Sequence, residues 1–77
     1  MSNPLLREAI QLARAGKHHE ARDLFIELVT LDEENEVAWL WLVDLVDDPE
    51  DQIIALENAL TINPDNERAR ARLQALQ

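Results

Sequence analysis

The chain has 77 residues, which is enough for one small domain but not for a separate catalytic lobe. Its hydrophobic content of 47% is that of a globular protein, and the absence of Cys excludes a disulfide framework or a thiolate metal site. The formal net charge is −9, and no Lys or Arg occurs within residues 23–67, so we expect no nucleic-acid partner, because phosphate binding requires cations.

No segment of the sequence is typical of a membrane protein. The longest apolar stretch, residues 37–46, is far shorter than the roughly 20 residues that cross a bilayer. The N-terminal Met-Ser-Asn-Pro sequence lacks the basic and apolar regions of a signal peptide. We therefore expect a cytoplasmic protein without a membrane partner.

Helix-boundary residues divide the chain into five predicted helices. Asn3 and Pro4 form an N-cap and first-turn pair, and Gly16, the only Gly, is suited to a left-handed helix end. Further boundaries are predicted at three polar segments, residues 32–35, 47–51 and 63–66. The apolar spacing between these boundaries predicts helices over about 4–15, 17–31 and 34–46, a fourth helix that follows the 47–51 boundary and ends at about residue 62, and a last one over about 66–76.

The sequence contains an internal repeat. Residues 28–38 align without gaps with residues 59–69, at an offset of 31. The identical pairs are Thr30 and Thr61, Asn35 and Asn66, Glu36 and Glu67, and Ala38 and Ala69. The matched segment covers the end of one predicted helix, a turn and the start of the next, which indicates a repeating helix-turn-helix unit.

The two units resemble the tetratricopeptide repeat family. The family's second-helix pattern is present as Ala21-x₃-Phe25 after Gly16, and its first-helix pattern is present as Trp39-x₂-Leu42. Pro64 stands at the position of the closing proline, although the offset of 31 is shorter than the family's usual repeat of about 34 residues. Each unit therefore carries one half of the family pattern.

The resemblance implies an all-α fold of five helices in stacked antiparallel hairpins, forming part of a right-handed superhelical solenoid. The whole chain, residues 1–77, is then one domain. Repeat one covers about residues 2–33, repeat two about 34–64, and a capping helix about 65–77. It also implies a scaffold that binds a protein or peptide, or a second copy of the chain, rather than an enzyme.

The third predicted helix is apolar nearly all round, which an ordinary surface helix is not. Helical geometry sets Trp39 and Trp41 about 200° apart, so both rings cannot pack against the same neighbour. The resemblance implies that Trp39 packs within its repeat and that a concave surface is lined by Leu6, Ile10, Val37, Leu40, Trp41 and Asp44. We expect this surface to bind the partner, with a compact arrangement in which all six residues are core as the alternative.

The cations of the predicted last helix have two possible roles. Arg68, Arg70 and Arg72 could meet an acidic surface of another copy, or they could form the solvated face of a lid. Near the concave surface only Arg7 and Arg14 are expected, so the clamp that holds a terminal carboxylate in some family members is not predicted here.

Two further functions are open at this stage. A small acidic enzyme or an ion-binding domain would use His18 and His19 with nearby carboxylates, although neighbouring residues on a helix point about 100° apart and chelate poorly. The chain could also be a regulatory module of a longer protein. We predict no catalytic residue, no metal ligand and no cofactor.

Overall fold

The computed structural model describes residues 4–77, and this part of the chain folds into five helices without a strand. The helices are α1 Pro4–Arg14, α2 His18–Leu31, α3 Glu36–Leu45, α4 Pro49–Ile62 and α5 Glu67–Leu76. The predicted all-α class of five packed helices is confirmed. The N-cap predicted at Asn3 lies outside the described residues.

Side-chain caps set where three of the helices begin. Asn35 and Asn66 each accept the backbone N–H three residues further on, at 3.1 and 3.0 Å, and Asp48 accepts the N–H two residues further on at 2.9 Å. Pro49 occupies the first turn of α4, where its missing N–H leaves no hydrogen bond unmade. Because Asn35 is the cap, α3 starts at Glu36 and not at residue 34 as predicted.

The connection between α1 and α2 depends on Gly16. This residue has φ of +81°, a conformation in which a side chain is strained. Its N–H donates to the carbonyl of Ala13 at 3.1 Å, and the N–H of Lys17 donates to that of Leu12 at 2.9 Å. These bonds satisfy carbonyls at the end of α1 and turn the chain back within three residues.

The turn that joins α2 to α3 recurs between α4 and α5, 31 residues later. Asp32 and Asn63 donate their backbone N–H to the carbonyl four residues earlier, at 2.8 and 2.9 Å. Their side-chain oxygens accept the N–H two residues further on, at 3.2 Å in both turns. α2 and α4 have 14 residues each, and α3 and α5 have 10 each. The repeat in the sequence is thus a repeat of hydrogen-bonded structure.

A side-chain hydrogen bond to the turn is also repeated, but its donor is a different residue type in each copy. The Trp39 indole N–H donates to the carbonyl of Glu33 at 2.8 Å. In the second turn the Arg70 guanidinium donates to the carbonyl of Pro64. Both donors lie six residues after their acceptor, so a cation on exposed α5 takes the place that an indole has on central α3.

A carboxylate joins the two copies of the repeated turn. Glu36, at the start of α3, accepts hydrogen bonds from the side-chain amides of Asn63 at 3.1 Å and Asn66 at 2.9 Å. All three side chains are partly buried. Because a hydrogen bond to an ionised group is stronger than a neutral one, Glu36 fixes the turn before α5 against the start of α3.

Each helix packs against the next one in the chain, and the hydrophobic core lies between these neighbouring helices. Its largest fully buried side chains are Phe25, Leu28, Val43 and Leu56. Alanines let the helix backbones approach closely, and those buried within residues 4–77 are Ala9, Ala21, Ala38, Ala55, Ala59 and Ala69. No helix in this part of the chain is long and apolar enough to span a membrane.

Candidate functional site

Four of the predicted site residues form one stripe along α3. Leu40 and Trp41 lie three and four residues after Val37, and Asp44 lies four and three residues after them, so helical geometry places all four within an arc of about 100°. Val37 is 45% exposed, and the Asp44 side chain is 63% exposed. Leu40 and Trp41 are partly buried. This set, here called the α3 stripe, is therefore accessible along its length.

A core residue of α2 holds the Trp41 ring in place. Its ring stacks on that of Phe25 in α2, with centroids 5.8 Å apart and planes inclined by 9°. Phe25 is fully buried, whereas Trp41 keeps part of its surface exposed. A rigidly held aromatic ring of this kind loses little conformational entropy when a partner covers it. The two tryptophans have different neighbours, since Trp39 bonds to the turn before α3.

Two shallow hollows meet at the α3 stripe. The first is lined by Leu40, Trp41 and Asp44, and both hollows have volumes of about 170 Å³. The second lies between α3 and α5, and its lining consists of Leu40, Asp44, Asn66, Arg68, Ala69 and Arg72. We call it the α3–α5 hollow. Sites for drug-sized molecules usually measure about 300–1,000 Å³, so each hollow is of a size to take one side chain.

Two arginines of α5 border the α3–α5 hollow. Arg72 pairs with Asp44 at 2.8 Å, across the gap between the two helices. Both side chains of the pair are well exposed, so the pair orients α5 more than it stabilises the fold. Among residues 4–77, Arg68 has no ion pair or hydrogen-bond partner for its side chain. The hollow therefore offers one available cation beside the apolar surface of Leu40.

The structure does not place the two predicted α1 residues in these hollows. Leu6 and Ile10 are four residues apart and so share one face of α1. Both are partly buried and pack against the core cluster, and neither lines the first hollow or the α3–α5 hollow. Of the six predicted residues, Leu40, Trp41 and Asp44 share a lining, Val37 continues their stripe, and Leu6 and Ile10 lie on a separate helix.

The contribution of α5 to this surface was missed at the sequence level. We expected only Arg7 and Arg14 as nearby cations, whereas the structure adds Arg68 and Arg72. The signal was present in the repeat, because an offset of 31 equates Val37 with Arg68 and Trp41 with Arg72. Equivalent positions on successive helices of a repeat protein line the same face, so the alignment predicts these arginines beside the α3 stripe.

A second surface, also missed, combines apolar and acidic residues on the side of α2 and α4. A larger hollow there is lined by Arg22, Asp23, Ile26, Val46, Asp47, Asp48 and Asp51. Ile26 is 46% exposed, and Ile54, one helical turn after Asp51, is 52% exposed. Arg22 is paired with Asp23 at 3.5 Å. We call the residues that line this hollow the acidic face.

The two histidines are exposed at the start of α2. Within residues 4–77, the structure brings together no group of three or more His, Cys, Asp or Glu side chains that could hold a metal ion. His18 and His19 are thus not joined to carboxylates in the way that the ion-binding hypothesis requires.

Comparison with known proteins adds no relative from which a function could be transferred. The chain matches no family model, no curated protein and no solved structure.

Proposed function

We propose that this protein is a small helical interaction module of tetratricopeptide type, which binds an apolar segment of a protein or peptide on the α3 stripe. The observation that carries the proposal is the Leu40, Trp41 and Asp44 hollow, with exposed Val37 on the same stripe. A repeat unit that buries only part of its apolar surface is the usual basis of binding by such scaffolds.

The chemistry of the α3 stripe supports binding rather than catalysis. Trp41 supplies a large ring held against Phe25, and rings of this kind are frequent anchors of protein interfaces. Leu40 joins the two hollows, so one ligand segment can place successive side chains on both sides of it. Asp44 at the rim is already bound to Arg72, so an apolar ligand does not have to bury an unpaired carboxylate.

Selection from a random peptide display library on the wild-type protein tests this proposal. We expect the selected peptides to bind Val37→Glu at least about tenfold more weakly than wild type, because the new carboxylate would lie against the apolar ligand. The substitution should leave the fold intact, since Val37 is exposed and a negative charge is favourable in the first turn of a helix.

The matched control is Ile54→Glu, which alters an exposed apolar residue of α4 outside the α3 stripe. Its affinity for the selected peptides should stay within about twofold of wild type, because its position lies outside the binding surface. Far-ultraviolet circular dichroism should give both variants the wild-type helix content. If no peptide is selected, or if Ile54→Glu weakens binding while Val37→Glu does not, the proposal is wrong.

A further inference from the structure

The α3–α5 hollow and the acidic face are complementary in charge and in apolar content. We propose that the partner covering the α3 stripe is a second copy of this chain, which inserts its acidic face head to tail. The inference rests on the proposed function, because it names the partner of the same surface.

The receiving surface has a local excess of positive charge. Arg68 and Arg72 border the α3–α5 hollow together with one carboxylate, Asp44, which is bound to Arg72. Arg68 is left to meet a carboxylate from outside. Leu40 and Trp41 provide the adjoining apolar contact. A partner surface that matches this one carries an apolar side chain next to a carboxylate.

The acidic face carries that combination on the same chain. Its hollow holds four carboxylates against one guanidinium, that of Arg22, and the latter is already paired. Ile26 is exposed and lines the same hollow, and Val46 stands directly before Asp47. An isoleucine of one copy can therefore reach Leu40 and Trp41 of another while Asp47 approaches Arg68.

The two surfaces share no residue, so one copy can use both at once. A contact between two different surfaces is heterologous, and repetition of it produces a ring or an open chain of copies rather than a closed twofold dimer.

The net charge of −9 on each copy limits the strength of this contact but does not prevent it. At physiological salt the Debye length is about 8 Å, so charges beyond the contact are largely screened while those across it still act. A standard interface covers about 800 Å² of each partner, which is about 15% of the 5253 Å² surface of this chain. We therefore expect reversible association that depends on protein concentration.

Sedimentation velocity at physiological salt, over a concentration series reaching millimolar protein, tests the inference with charge reversals. Arg68→Glu alters the receiving surface and Asp47→Arg alters the acidic face. Each variant alone should associate about tenfold more weakly than wild type, since the reversal places like charges across the contact. An equal mixture of the two should recover association, because each reversed surface then meets an opposite charge.

The control variants Lys17→Glu and Glu33→Arg make the same changes of charge outside both surfaces and should behave as wild type. A wild-type chain that stays monomeric throughout the series overturns the inference, as does a mixture that fails to recover association. Association lost in Val37→Glu but retained in Asp47→Arg would indicate a symmetric dimer and would also overturn it. Peptide selection that depends on Val37 would leave the proposed function standing in each of these cases.

Discussion

Asn35 and Asn66 occupy equivalent positions of the repeated turn, but the fold gives Asn66 an additional side-chain hydrogen bond. Both cap a helix by accepting the N–H three residues further on. Asn66 also donates its side-chain amide to Glu36 at 2.9 Å, whereas in residues 4–77 the amide of Asn35 has no such acceptor. The equivalence of the two asparagines is visible in the sequence, but their difference depends on what packs beside them.

We expect Asn66→Ala to destabilise the protein more than Asn35→Ala. Loss of a cap costs about 1 kcal/mol at either position. Asn66→Ala also removes a hydrogen bond to a carboxylate, which adds about 1.5–3 kcal/mol. Urea denaturation followed by circular dichroism measures both free energies of unfolding. Equal losses in the two variants would contradict the assignment of Asn66 to the Glu36 contact.

The core residue beneath the α3 stripe gives a second prediction at this scale. Phe25 is fully buried, so Phe25→Ala should lower the free energy of unfolding by about 3–5 kcal/mol through the cavity that it leaves. It also removes the ring on which Trp41 stacks. In any fraction that remains folded, tryptophan fluorescence should shift to longer wavelength. An unchanged spectrum would mean that Phe25 does not fix the Trp41 ring.

Among the helices, α5 is equivalent to α3 in the repeat, but it is the last helix of the chain and is more exposed. The offset of 31 places Arg70 where α3 has Trp39, and exposed Gln74 where α3 has fully buried Val43. Only Ala69 of α5 is fully buried. Leu73 and Leu76 of α5 are partly buried against the core, and polar contacts join α5 and the turn before it to α3, namely the Glu36 hydrogen bonds and the pair of Asp44 with Arg72.

Glu36→Ala and Glu67→Ala form a matched pair that tests how α5 is held. Both glutamates begin a helix, so both variants lose the same interaction with the helix dipole, about 0.3–1 kcal/mol. Glu36→Ala alone also loses the hydrogen bonds to two asparagine side chains. We expect this loss to lower the free energy of unfolding by about 1.5–3 kcal/mol more. Urea denaturation gives the difference. Equal effects would show that these bonds contribute nothing to stability.

The pair between Asp44 and Arg72 should contribute little stability despite its distance of 2.8 Å. Its two side chains are 63% and 44% exposed, and exposed pairs are worth at most about 1 kcal/mol. A double-mutant cycle with Asp44→Ala and Arg72→Ala measures the coupling energy. A coupling well above this value would mean that the pair, and not apolar burial, fixes α5.

Across the whole molecule, the three central helices bury more residues than the two end helices. α2, α3 and α4 each bury three or more residues, whereas the terminal helices α1 and α5 bury one each, Ala9 and Ala69. Each helix packs chiefly against its neighbours in sequence. Opening of an end helix therefore exposes little apolar surface, while opening of a central helix divides the core.

Native-state hydrogen exchange should reveal this gradient. Backbone amides in the middle of α2, α3 and α4 should exchange most slowly, and those of α1 and α5 faster, because the end helices open without global unfolding. Exchange followed by nuclear magnetic resonance resolves the helices individually. Uniform protection over all five helices would instead indicate that the chain opens only as one unit.

The local sequence determined the number of helices, their approximate extents and the 31-residue repeat. Caps such as Asn35, Asp48 and Asn66, and the left-handed turn at Gly16, act within a few residues, so they can be recognised without knowledge of the fold. The helical spacing that puts Val37, Leu40, Trp41 and Asp44 on one face of α3 is local in the same way. The choice of that face as a binding surface came instead from the resemblance to the repeat family.

Only the tertiary structure decided what lies beside that stripe. The contacts of Glu36 with Asn63 and Asn66, and of Asp44 with Arg72, join residues 27 to 30 positions apart, and they exist because α3 and α5 are brought side by side. The same packing adds Arg68 and Arg72 to the surface and leaves Leu6 and Ile10 outside its hollows. Local patterns encode helices and their faces, whereas the meeting of two faces depends on how the helices pack.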